Sequence, residues 1–509
     1  MTEKNADKKD YSQNRIVGTR LFYIVPFYFD EQPPICNGTI YKKICEHISS
    51  RKGWHGVSEI NKWYRITDDG HYVKEDKPEE TDIYQYILDS FYENVDDPGN
   101  THIGKTWEYD IAGDEEGKSY ICYKTASEEY DLTVENLGIS LFRSGIGFIW
   151  YELTEKTEGG NRPLHEISVK ALSEIQKNLK ELHKDLPENV RVESRKYGDV
   201  RAIGLILNEV IRNVTGLDDT RIKYFASRIY SNGEYIPDKA LMYTYAVLKE
   251  SDVDTDSAYY IGRGNPTDYP IEKNMDEKIY KPFDDKIWYI TREGCGYFVS
   301  DDDRNYNRTT LSARFVSNYF PLYIFLLHQS YSLQHYSEIM STMLCASADS
   351  RDHTKEQISE LDEFISEIST FLMKGIYASV AHIENVNEFY VYAQQRLHIK
   401  EDISSITVGL EALSSQQHNE HDRQEQEKDK RMSDSLAVIS VLAIFSALSD
   451  GWAVAKDFMS EPLKSPRMIL LIVILIITAV VSIFAVYVLI IMIKTRVCDI
   501  WNNVKRRKK

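Results

Sequence analysis

From Met468 to Ile493 the chain runs for 26 residues without a charge, MILLIVILIITAVVSIFAVYVLIIMI, and few folds can accommodate such a run. As a helix rising 1.5 Å per residue it would be about 39 Å long, enough to cross a hydrocarbon core of about 30 Å with some tilt. A second and less apolar run, LAVISVLAIFSALSDGWAV, occupies Leu436–Val454. Together they predict two membrane spans behind a large, charged, tyrosine-rich body.

The 509 residues leave room for two or three domains, and the formal net charge is -18. The tail 494–509 holds seven basic residues against Asp499, which leaves residues 1–493 at -24. A body this acidic lacks the basic face that phosphates require, which argues against direct nucleic-acid binding and favours cations near the surface. The polar N-terminus MTEKNADKKDYSQNR is followed by no apolar run, so no secretory signal is expected. Cys36, Cys45, Cys122, Cys295, Cys345 and Cys498 are scattered with no CxxC pair, which fits a reducing compartment and gives neither a disulfide framework nor a zinc site. Basic residues are densest after the second span, whereas the loop between the spans offers only Lys456, Lys464 and Arg467. By the positive-inside rule both termini are expected on the cytoplasmic side of a bacterial inner membrane, the chain being multi-pass.

Residues 1–15 read as disordered and 16–314 as a cytosolic α/β domain, divisible into two subdomains. Within it RLFYIVPFYF from Arg20 is strand-like, Asp82–Asn94 helical, Ser119–Thr125 strand-like, and Leu137–Leu153 a pair of strands with a glycine-bearing turn. Pro163–His183 reads as an amphipathic helix with proline in its first turn. IWYITREGCGYFVSDDD reads as a hairpin. Residues 315–401 form a helical region in which Phe320–Leu327 is apolar but too short to span, and is read as buried. A stalk helix follows over 402–435, with Ile403, Ile406, Leu410 and Leu413 on one face. Then come the first span 436–454, an outer loop 455–467, the second span 468–493 and the basic tail 494–509. Continuous from Ile403 to Ala455, the stalk would be about 80 Å long, and a helix so polar is stable only against partners, here copies of itself.

This layout resembles the CorA-type divalent cation transporter superfamily: an acidic α/β body, a long helix entering as the first span, a short outer loop, a second span and a basic tail. LFRSGIGFIWYEL and NYFPLYIFLLHQSYSL resemble segments of divergent CorA-like bacterial proteins. The resemblance implies a homopentamer around an axial pore lined by the first span, passing a divalent cation such as Mg²⁺. The family's Gly-Met-Asn signature is absent, and Ser449-Asp450-Gly451-Trp452 stands in its place. Asp450 would then offer a carboxylate ring at the pore mouth, of the kind that selects cations. Ser433, Ala437, Ser440, Ile444, Ala447 and Gly451 follow a 4-3-4-3-4 spacing that puts them on one helix face. That face is either a pore wall or a close-packing seam. The body exceeds ordinary family members by one small domain, on the order of 100 residues, so an alternative is an effector of CRISPR-linked antiphage defence gated by a signalling nucleotide. A non-conducting membrane-anchored scaffold is the third reading.

Other motifs carry less. His418 and His421 in HNEHD stand at i, i+3 and would share a metal on a helix, against a solvated stalk face. Asp301, Asp302 and Asp303 suit a regulatory Mg²⁺, against a solvated turn beside the hairpin. Gly262–Pro270 and Ser144–Gly147 are glycine-bearing loops without a phosphate-binding pattern. No nucleophile–base arrangement is legible, and no catalytic site is expected.

Overall fold

The computed structural model describes residues 11–29, 38–57, 64–66, 72–74, 82–88, 103–111, 119–124, 128–157, 160–164, 166–194, 197–218, 220–249, 253–302, 305–349, 355–377 and 379–415, and after these only Met432, Val473, Ile476 and Tyr487. The chain divides into two compact units, Met1–Ser414 and Ser415–Lys509. In the second unit the four isolated positions are helical and exposed.

In the first unit, chain order begins with β1 (Arg15–Phe29), α1 (Gly38–Ser49), β2 (Trp54–Gly56), β3 (Tyr64–Ile66), β4 (Tyr72–Lys74), α2 (Gln85–Leu88), β5 (Gly104–Tyr109) and β6 (Ser119–Lys124). The long hairpin β7 (Glu129–Phe142) and β8 (Ile146–Thr157) follows, then β9 (Gly160–Arg162), β10 (Ile167–Ser168) and α3 (Val169–Lys180). Next are β11 (Val190–Ser194), β12 (Gly198–Val200), α4 (Ile203–Thr215), β13 (Ile222–Lys223), β14 (Ser227–Ile229), β15 (Tyr235–Pro237), β16 (Leu241–Leu248) and α5 (Thr255–Arg263). The series closes with β17 (Ile279–Phe283), β18 (Lys286–Thr291), β19 (Gly294–Ser300), α6 (Ser312–Arg314), α7 (Phe320–Asp349), α8 (Lys355–Lys374) and α9 (Glu384–Arg396), and residues 399–415 are helical again.

One large sheet organises the unit, in the order β12-β11-β6-β7-β8-β1-β16-β19-β18-β17. Along this path every pairing is antiparallel except β16 with β19. Strand β1 shows why two helical layers cover it. Its odd positions Leu21, Tyr23, Val25, Phe27 and Phe29 enter one apolar core, while Phe22 and Ile24 enter the other. A period of two with apolar residues on both sides requires cover on both faces. The first face is covered by α1, α3, α4 and α5, and the second by α7, α8 and α9. Strands β16 and β19 are buried along their whole length, as central strands in such a sandwich must be.

On the second face aromatic rings do most of the filling. Trp288 stacks on Tyr297 with ring centroids 4.0 Å apart, and Tyr243 stacks on Phe315 at 4.2 Å. Residues Asn307–Leu311 and Phe315–Tyr319 form π-helical turns, which distort the ordinary helical ladder. Two sheet tyrosines donate to carbonyls in these turns: Tyr243 to Phe315 at 2.8 Å and Tyr245 to Asn307 at 2.5 Å. Between the strands, buried Arg20 and Glu152 form a two-pronged ion pair, to which Asn136 Nδ2 donates at 2.6 Å.

The fold corrects the expected architecture. Among the described residues no helix is long and apolar enough to cross a membrane, and what stands instead is a mixed α/β fold around a large sheet. The assignment to a multi-pass protein of a bacterial inner membrane, and the membrane-channel description built on it, are corrected by the same finding. The longest described helix, α7, shows the physical reason within this unit: it has 30 residues, but its apolar segment is followed by His328, Gln329, Ser330, Ser332 and His335, all buried against protein. Most of 436–454 and 468–493 lies outside the described residues. The amphipathic helix expected from Pro163 begins at Val169. Ile167 and Ser168 pair with β1, and the Ser168 hydroxyl caps the helix by accepting from the Ala171 N–H at 3.1 Å.

Candidate functional site

Beneath α4 lies a cavity of about 420 Å³. Helix α4 forms one wall because its apolar residues recur at helical spacing, with Ile203, Leu207, Ile211 and Val214 buried on one side. The opposite wall is the sheet, through Ile121 of β6, Val134 and Leu137 of β7, Tyr151 of β8 and Val192 of β11. Val134 and Leu137 are three residues apart and would face opposite sides of a regular strand. A register shift between Val134 and Asn136 adds one residue to β7 and turns both toward the cavity.

The third wall is the segment after α1. Arg51, Lys52 and Trp54 line the cavity beside Tyr109 and Ile111. Gly53 sits at φ +87°, and a β-carbon there would come within 2.8 Å of the Tyr109 ring, so this turn requires glycine. The Gly53 carbonyl accepts from the Asp110 N–H at 2.8 Å, which ties the turn to the end of β5. Arg51 Nε donates to His47 Nε2 at 3.2 Å. Among the described residues neither Arg51 nor Lys52 has a carboxylate partner, although the chain as a whole carries -18.

The lining is mostly apolar; besides Arg51 and Lys52, the side chains in it that carry a polar atom are Trp54, Tyr109, Tyr151, Tyr197 and Asn213. Tyr151 is 4% exposed, stacks on Tyr23 with centroids 5.4 Å apart, and its hydroxyl has no hydrogen-bond partner. Burial holds this phenol well above the ordinary range, so it acts only as a neutral O–H.

The residues singled out from sequence lie elsewhere. Asp301 is engaged by Arg308, whose Nε stands 2.7 Å from Oδ1. Asp302 accepts from the Tyr306 and Asn307 N–H groups at 2.9 and 2.7 Å, so both acids serve the chain that follows the hairpin. Among the described residues no group of three metal-ligating side chains converges. Asp303, His418 and His421 lie outside the described residues, as do Asp450 and the Ser433, Ala437, Ser440, Ile444, Ala447 and Gly451 stripe. Gly262 and Arg263 end α5, with Gly264 as its left-handed cap donating to the Ile261 carbonyl, so this end of the helix presents carbonyls rather than the N–H groups a phosphate needs. Ser144–Gly147 holds the end of the turn between β7 and β8 and the first two residues of β8, all buried. There Ser144 Oγ is 3.0 Å from His328 Nε2 and 2.9 Å from Ser332 Oγ. This serine–histidine pair is no nucleophile: His328 is stacked on Phe142 at 3.8 Å, and burial pushes its pKa down to about 3, so it does not take up a proton.

Sequence reading missed the cavity entirely. Its walls come from segments near 51–54, 109–137, 151, 192 and 197–214, and the one local signal, a β-bulge, has no sequence signature in VENLG. Compared with protein-family models, curated proteins and solved structures, the chain matches none.

Proposed function

We propose that the α/β body is a small-molecule-binding module that senses a ligand rather than transforming one, with the cavity beneath α4 as its binding site. The observation that carries the reading is an accessible, mostly apolar cavity of about 420 Å³ whose lining includes two cationic side chains. That volume lies within the range of about 300–1,000 Å³ typical of small-molecule sites, and such sites are apolar with a few orienting polar groups. Binding is favoured over catalysis because the lining holds no paired acid and base, and the buried Ser144–His328 pair stands apart from it.

The test uses 1-anilinonaphthalene-8-sulfonate as a probe on the full chain at neutral pH. One saturable site is expected, lost in Leu207→Trp and weakened in the milder Val210→Phe, with far-UV circular dichroism unchanged in both. Probe binding that is indifferent to both substitutions would place the ligand elsewhere and overturn the assignment.

A further inference from the structure

Resting on that reading, we infer that the ligand is an apolar-bodied acid: a hydrocarbon or aryl framework with an anionic head at Arg51 and Lys52. Two features of the cavity lead there. The walls contributed by Ile121, Leu137, Val192, Ile203, Leu207 and Val210 offer no hydrogen bonds, and apolar atoms make up most of the lining, so a hydrocarbon or aryl body is matched over most of its surface. At about 420 Å³ the site is near the lower end of the usual range, which suits one compact molecule and not an oligonucleotide messenger.

The second feature is charge. In a chain of net charge -18, Arg51 and Lys52 adjoin in sequence and line the cavity without a carboxylate partner among the described residues. The contact from His47 orients the Arg51 guanidinium through Nε. An anion placed there gains charge-assisted hydrogen bonds that a neutral analogue does not.

Calorimetric titration of the full chain with decanoate, decan-1-ol and adenosine monophosphate tests the inference. Decanoate is expected to bind at least about five-fold tighter than decan-1-ol, and the double substitution of Arg51→Gln with Lys52→Gln is expected to erase that difference. Decan-1-ol binding as well as decanoate, or adenosine monophosphate binding best, with Leu207→Trp abolishing either, would overturn the ligand class while leaving the cavity as the site. Binding of none of the three would overturn the ligand class, and if the sulfonate probe also ignores Leu207→Trp the site itself falls.

Discussion

Glu367 on α8 is expected to make stability depend on pH in a direction opposite to that of an ordinary carboxylate. It is largely buried, its Oε1 accepts from the Tyr336 hydroxyl at 3.2 Å, and its Oε2 has no partner. Burial pushes its pKa up from 4.5 to about 7, against the smaller opposing pull of the Tyr336 hydrogen bond, Arg143 and His335, with Glu363 adding to the rise. Between about 4.5 and about 7 the folded chain therefore keeps a proton that the unfolded chain has lost. Stability from this group is fully present below that window and is lost as pH rises through it, by on the order of 3 kcal/mol when integrated. His328, held down at about 3 by burial, acts in the opposite sense: stability falls as pH drops below 6.5, because only the unfolded imidazole takes up the proton. The two slopes overlap in the wild-type curve, so the informative quantity is a difference. Glu367→Gln mimics the protonated acid and leaves His328 untouched. In thermal melts of the full chain it should match the wild type at pH 5 and melt several degrees higher at pH 8, since a few kcal/mol moves a large domain by about that much. An equal shift at both pH values, or a lower melting temperature for the variant at pH 8, would refute the account.

Two further substitutions probe the sheet. Glu152→Gln should destabilise by about 3–5 kcal/mol in chemical denaturation, because it breaks the buried two-pronged ion pair with Arg20, and a loss below about 1 kcal/mol would show that the pair is solvated. Gly138→Ala should cost about 1–3 kcal/mol and quench or shift the Trp150 emission, because a β-carbon at 138 would lie 2.1 Å from the indole ring that covers it; unchanged stability would mean that the ring moves freely aside.

How far the sequence reveals this fold depends on whether a signal is local. The two-residue period in β1, the β18–β19 hairpin with its glycines, and the apolar start of α7 are each written in neighbouring residues, and each was readable as strand, hairpin or buried helix. Boundaries failed where pairing partners decide. Leu164 and Ile167 fit a helical stripe with Leu172, Ile175 and Leu179, yet Ile167 is taken by β1, and the helix starts only where Ser168 caps it. The aspartates at 301 and 302 looked like free ligands because the arginine and N–H groups that engage them lie four to seven residues downstream, folded back by the turn.

The cavity was out of reach for a further reason. A small-molecule site in a sandwich is made where helix and sheet fail to close on each other, and nothing in either sequence alone records that failure. Here the bulge between Val134 and Asn136 adds a residue to β7, so that Leu137 stands in register with Tyr151 and across from α4. Tyr151 in turn pairs with Tyr23 on β1 and stacks on its ring, which fixes the position of the Tyr151 side chain in the cavity wall.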